Sequence, residues 1–227
     1  MQLSLFEQSF KRYKKLIFFD LETTGFIPTQ EDIIELGLVV VDPHDDFRVT
    51  KMENLLVKAS KPLPEKIIEL TNITDAMLLN DGVAPEVLYE RLSHYLDSDA
   101  LWFAYNMQFD LGFLVAFMKR FNPAFKFTRD ILDVMAVYKD YNVPPHRLMH
   151  AIARYNVTFE NTHRALDDVL ATVEVFKALM KETDVSLYIN VIGYHDTYGL
   201  KGPKLPHVKY FPQKNERESL KNRIQPK

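Results

Sequence analysis

Residues 14–20, Lys-Lys-Leu-Ile-Phe-Phe-Asp, run four consecutive apolar side chains straight into a carboxylate. A short apolar and aromatic run bounded by charge reads as a buried strand that delivers Asp20 to its end. Glu22 follows with one residue between, so on an extended backbone both carboxylates point to the same face. Residues 33–42 and 47–57 give a second and a third strand, and three strands without an intervening helix predict an antiparallel meander. Beyond them apolar residues recur at helical spacing over 64–70, 85–96, 109–121, 130–138, 147–155 and 165–181, with short strands expected at 101–105 and 125–127. Strands first, then strands alternating with helices, predict an α/β fold with a mixed sheet flanked by helices. Periodicity fades after about residue 183, where Gly199, Gly202, Pro203, Pro206 and Pro212 mark an irregular segment. The organisation expected is an N-terminal arm over 1–13, one domain over 14–182 and an irregular basic tail over 183–227.

A chain of 227 residues, 47% hydrophobic and 26% charged, suits one soluble domain with an appendage. It contains no cysteine, which excludes disulfides and thiolate metal sites and fits a reducing cytoplasm. Residues 1–10 carry Glu7 and lack a basic segment followed by a long apolar run, so they do not read as a signal peptide. No apolar stretch approaches the ~20 residues needed to cross a bilayer, so no membrane partner is expected. The net charge of -3 hides an asymmetry: residues 200–227 hold eight Lys/Arg against two Glu, leaving 20 basic against 29 acidic residues before them. A basic tail on an acidic body suggests contact with a polyanion, and a solvated terminus fits the composition equally.

Three acidic clusters carry the chemistry. Asp20-Leu21-Glu22 is followed by Thr23-Thr24-Gly25, where the glycine allows close backbone approach and the hydroxyls offer a grip on a phosphate or sugar. Asn106-Met107-Gln108-Phe109-Asp110 follows the strand expected at 101–105, and places Asp110 in a first helical turn, where the helix dipole favours a negative group or a simple cap. His163-Arg164-Ala165-Leu166-Asp167-Asp168 opens the last long helix. At 3.6 residues per turn Asp167 and Asp168 diverge by about 100°, so only one of them joins a site.

Together Asp-Leu-Glu-Thr-Thr-Gly at 20–25, Asn-x-x-Phe-Asp at 106–110 and His-x-Ala-x-x-Asp at 163–168 resemble the three motifs of the DEDD exonuclease superfamily, His subclass. The resemblance covers residues 14–181, and three motifs in the right order make it specific. It is similar above all to the proofreading exonucleases of bacterial replicative polymerases. Two departures are visible, Tyr105 where many relatives carry His and Asn72 where Gly is frequent; neither touches a presumed ligand. The resemblance implies a ribonuclease H-like fold and 3′→5′ release of nucleoside monophosphates from a single-stranded DNA 3′ end, in replication proofreading or repair beside a DNA polymerase. It also implies two divalent cations, Mg²⁺ or Mn²⁺, held by Asp20, Glu22, Asp110 and Asp168. His163 would take a proton from the attacking water, and Thr23, Thr24, Phe26, Ile73, Asn106 and Phe109 would grip the terminal nucleotides. An all-oxygen donor set agrees with those cations.

Two other readings share these residues. The same motifs serve exoribonucleases that trim RNA 3′ ends, and nothing in them separates ribose from deoxyribose. A catalytically silent replisome adaptor would be expected to have lost a ligand or the histidine, and all five are present. Finally, Gln2-Leu3-Ser4-Leu5-Phe6 resembles the peptide by which bacterial replication proteins dock onto the sliding clamp. Leu3, Leu5 and Phe6 would serve as apolar anchors and Gln2 as a polar edge, or the arm packs onto its own domain.

Overall fold

The structure is a computed structural model that describes residues 8–96, 99–158, 163–197, 199–213 and 220–224. The clamp-like peptide, with Gln2, Leu3, Leu5 and Phe6, lies outside the described residues. Its centre is a five-stranded mixed sheet in the order β3-β2-β1-β4-β5, built from β1 (Lys15–Thr23), β2 (Ile33–Asp42), β3 (Arg48–Leu56), β4 (Ala100–Ala104) and β5 (Ile131–Asp133). The first three strands form the expected antiparallel meander, and β4 and β5 join parallel to β1. Parallel strands need a crossover on a sheet face. The helices supply it: α1 (Glu65–Thr71), α2 (Asp75–Asp81) and α3 (Pro85–Leu96) before β4, and α4 (Met107–Phe121) before β5. After β5 come α5 (Val134–Tyr141), α6 (Leu148–Tyr155) and α7 (Ala165–Glu182).

Strand alternation divides the core in two. Leu16, Phe18, Val39, Val41, Leu101 and Phe103 face a core completed by α5, α6 and α7, while Ile17, Phe19, Leu36, Leu38 and Trp102 face α3 and α4. Both faces are covered, which is why β1 and β2 read as unbroken apolar runs. Phe176 of α7 packs against Phe10, Phe18 and Phe103 with ring centroids 5.5, 5.4 and 4.9 Å away. Phe10 therefore ties the N-terminal arm into the core from residue 8 onward.

Several boundaries differ from those read in the sequence. β1 does not end at Asp20; it runs to Thr23 with a bulge after Glu22. The expected strand at 125–127 does not form, and the expected helix at 130–138 begins with β5 instead. Trp102 N–H donates to Asp130 O, drawing Ile131 and Leu132 into the sheet, and the Asp133 carboxylate then caps α5 by accepting from Met135 and Ala136 N–H. A strand of three residues is too short to show a period.

Among its described residues the segment after 183 holds short regular elements between stretches without them. It forms a 3₁₀ turn (Val185–Tyr188), a parallel pair β6 (Val191–His195) and β7 (Lys209–Gln213), and α8 (Lys221–Ile224). Val185, Tyr188 and Leu220 are buried in one core and Ile192, Leu205 and Val208 in the other, so sparse apolar residues dock the basic segment on the body. Asp140 holds it by accepting from Tyr188 OH at 2.7 Å and Leu220 N–H at 2.8 Å. No helix among the described residues is long and apolar enough to cross a membrane.

Gly37 fixes the distance between α7 and the sheet. A Cβ there would lie 2.3 Å from Ala165 C and 2.4 Å from Ala165 O, so only glycine admits the helix start at this separation. Gly37→Ala should therefore cost ~3 kcal/mol through overpacking. In a domain of this size that lowers Tm by roughly 6–12 °C. Calorimetry on the two proteins checks it, with an unchanged Tm as the contrary result.

Candidate active site

Asp20 and Glu22 stand on the face of β1 that meets α7, as their spacing requires. Asp20 pairs in register with Gly37 and Glu22 with Glu35 on the neighbouring antiparallel strand. Two glutamates directly opposite repel, and Glu35 is fully buried. Its charge is met from α7: Arg164 Nη2 donates to Glu35 Oε1 at 2.6 Å, Arg164 Nε lies 3.1 and 3.2 Å from its two oxygens, and Ala165 N–H donates to Oε2 at 2.9 Å. Glu35 thus caps α7 from another strand, satisfying a first-turn N–H that the helix cannot. Sequence reading did not single out Glu35, Gly37 or Arg164, although a carboxylate inside Ile33-Ile34-Glu35-Leu36-Gly37 is itself a signal that a buried partner must exist.

With the helix start fixed, Asp168 projects one turn on toward β1. One ligand oxygen each from Asp20, Glu22 and Asp168 lies within 4.8 Å of the others. Asp168 is buried and Asp167 half-buried outside the cluster, so one of the pair joins the site as the helical spacing demands. Asp110, in the first turn of α4, is 2% exposed and its Oδ1 accepts from Leu21 N–H at 3.1 Å. Burial pushes the Asp20 carboxyl up to about 7, with the Glu35 charge adding to the shift. Burial pushes Glu22 up to about 9, helped by Asp20, Asp168 and Glu35 and opposed by Arg164. Asp110 is held well above the usual carboxylate range by burial and by Asp20. Carboxylates this close and this short of compensating charge form a donor set for a hard divalent cation, which prefers oxygen.

His163 is exposed, directly before Arg164, with φ 52°. Histidine is among the residues that tolerate this left-handed region, and the Arg164 ion pair anchors the next residue. Asn106 and Phe26 are exposed, Phe26 at 76%, and Phe26 meets Phe109 edge-on with centroids 6.4 Å apart.

Three residues expected at the nucleotide have contacts within the protein itself. Ile73 is fully buried among Ile34, Leu63, Ile67 and Leu78, because the turn at Asn72 (φ 56°) folds it inward. Thr23 is buried and its hydroxyl donates to Gly25 O at 2.7 Å. The Thr24 hydroxyl donates to Glu31 Oε2 at 2.7 Å and accepts from Asp32 N–H at 2.9 Å. Gly25 makes room for Glu31, whose Cδ lies 2.9 Å from where a Cβ would stand. The Thr-Thr-Gly turn is thus occupied with shaping its own loop.

A model of the exonuclease (RNase T) family matches residues 17–176. The chain belongs to that family. The chain is 32% identical over 216 residues to the PolC-type DNA polymerase III of Staphylococcus epidermidis, 91% of this chain and 14% of the relative. The Staphylococcus aureus protein of the same description is 33% identical over 170 residues, 73% of this chain and 11% of the relative. The chain thus spans about a seventh or less of these polymerases. Among solved structures, E. coli ExoI in its zinc-bound complex with single-stranded DNA superposes with a TM-score of 0.66 at 20% identity, over 75% of this chain and 41% of that one. The nuclease domain of 3′hExo, a DEDDh family member bound to rAMP, gives 0.62 at 15% identity, over 76% and 94%. These two likenesses show the fold, the ribonuclease H-like arrangement expected from the sequence.

The raised carboxyls have a consequence for stability. Without cations, folded Glu22 keeps its proton up to about pH 9 while the unfolded side chain loses it near its ordinary 4.5. The folded state then holds more protons between those limits, so stability falls as pH rises through that window. Thermal melts in EDTA from pH 5 to 9 should show a Tm that declines with pH, and Glu22→Gln should flatten the decline. An equal decline in both proteins would contradict this.

Proposed function

We propose that the chain is a metal-dependent 3′→5′ exonuclease acting on single-stranded DNA, releasing nucleoside monophosphates in replication proofreading or repair. The convergence of Asp20, Glu22 and Asp168 within 4.8 Å, beside buried Asp110, carries this reading. Two cations, Mg²⁺ or Mn²⁺, when bound would activate water and offset charge at the leaving 3′ oxygen. Asp20, Glu22 and Asp168 would hold those cations, with buried Asp110, whose Oδ1 accepts from Leu21 N–H, as the fourth carboxylate. His163, solvent-facing at the mouth of α7, takes the water's proton, a role suited to an imidazole near neutral pH. Phe26, Phe109 and Asn106 offer the terminal nucleotides two ring faces and an amide. Identity to DNA polymerases across most of the chain favours DNA over RNA, and favours work beside a polymerase. The peptide at residues 2–6 is the proposed tether to a sliding clamp.

Digestion of matched 3′-labelled DNA and RNA single strands tests this. Activity should need Mg²⁺ or Mn²⁺, stop in EDTA, favour DNA and vanish in Asp20→Ala, while His163→Ala should slow it by roughly 10²–10⁴-fold with cation-induced stabilisation retained. Hydrolysis in excess EDTA would sink the metal assignment, and full turnover by His163→Ala would leave the imidazole a structural part.

A further inference from the structure

Beyond the residues matched by the family model, the C-terminal segment builds one wall of a cavity of about 510 Å³ that it shares with α4 and α5. Its near lip is Phe26, Asn106 and Phe109, the last adjacent in sequence to Asp110. Its far wall is Lys139 of α5 with Tyr194, His195 and Lys201 of the C-terminal segment. The wall is fastened in place. Gln108 Nε2 donates to Gly193 O at 2.9 Å, and a side chain at Gly202 would lie 2.7 Å from Gln108 O, so this segment is fitted to the first turn of α4.

We propose that this cavity is a second subsite of the exonuclease, holding nucleotides of the single strand that leads to the cleaved 3′ end, with Tyr194 as a stacking face and Lys139 and Lys201 as phosphate contacts. The inference rests on the exonuclease reading and adds residues that the three motifs do not contain. Aromatic side chains and ammonium groups in one cavity are what a base-and-phosphate chain requires. An apolar peptide would put no negative charge beside Lys139 and Lys201, and a small anion would put no flat face against the rings. The Asp133 carboxylate in the wall is buried and accepts from Met135 and Ala136 N–H in capping α5. The volume lies within the range of ligand pockets.

The test uses the full chain with Mg²⁺ and oligothymidylates of two, four and eight residues. KM for wild type should fall by roughly 10-fold or more from the dinucleotide to the octanucleotide, the worth of about one stacked base. Lys139→Ala/Lys201→Ala and Tyr194→Ala should each flatten that dependence through KM, and Tyr194→Trp should restore it. Equal KM for all lengths in wild type, or an undiminished length dependence in the variants, overturns the subsite while leaving the exonuclease reading intact. If wild type cleaves nothing, the exonuclease reading fails, and fluorescence anisotropy of a labelled octanucleotide decides the subsite separately. The lysine variant should then lower the slope of log affinity against log salt by about 1.4, from two lost phosphate contacts on a single strand. An unchanged slope overturns the proposal.

Discussion

The fully buried carboxylate of Glu35, bonded to Arg164 and to the first N–H of α7, is the contact on which the rest of the site depends. It sits opposite Glu22 in the sheet, where a second negative charge would be unfavourable if left alone. Arg164 answers that charge, and in doing so it sets the height and rotation of the helix. Asp168 is four residues further along, about one turn, and reaches the cluster only from that start. Gly37, opposite Asp20, supplies the other half of the fit by leaving room for Ala165. One strand pair therefore presents two site carboxylates on β1 and, on β2, the glutamate and the glycine that seat the helix bearing the third. A buried pair of this kind is weak evidence for net stability, since desolvation offsets its attraction. Its evident value is geometric.

The same arrangement explains why the site is electrostatically uncomfortable. Asp20, Glu22, Asp110 and Asp168 draw on β1, α4 and α7, elements each fixed by its own core, so the carboxyls cannot relax apart without unpacking the sheet. Arg164 is engaged with Glu35 and lowers the Glu22 carboxyl only partly. The repulsion is resisted by apolar packing on the same face of the sheet, where Phe176 meets Phe10, Phe18 and Phe103. A rigid core that enforces an unfavourable charge cluster is a structure whose native state gains from any ligand that neutralises it.

Much of this was legible in the sequence, and the parts that were not share a cause. Asp20 and Glu22 on one face follow from the period of a strand, and the choice of Asp168 over Asp167 from the period of a helix; both are local rules. Glu35 was missed because its importance lies in a partner 129 residues away, visible in sequence only as a charge out of place in an apolar run. Ile73, Thr23 and Thr24 were assigned to the substrate by resemblance, yet a left-handed Asn72 buries the first and the Glu31 loop consumes the hydroxyl of Thr24. β5 was absorbed into a helix because three residues carry no period, and its existence depends on Trp102 and Asp130 meeting across the sheet. The C-terminal segment looked irregular because its prolines and glycines outweigh a few apolar residues that find the core only once the core exists.

The docking of the C-terminal segment bears on how the acidic body would meet a polyanion. The sequence separates charge by position, acidic before residue 200 and basic after it, and a loose tail would bring its cations to the substrate only on average. Docked by Gln108, Leu205 and Val208, the start of that basic region is instead held beside α4, where Lys201 lines the cavity with Lys139. Fixed cations a short way from fixed carboxylates divide the work that a phosphodiester strand demands. The carboxylates must repel phosphate unless cations intervene, and the lysines attract it without them. A strand drawn along the basic wall would thus arrive at the acidic cluster already ordered, with the entropy of positioning met by the cavity and the charge at the scissile phosphate met by metal. On the proposed function, recognition and cleavage are then separable in the structure: one built on α5 and the C-terminal segment, the other on β1, α4 and α7.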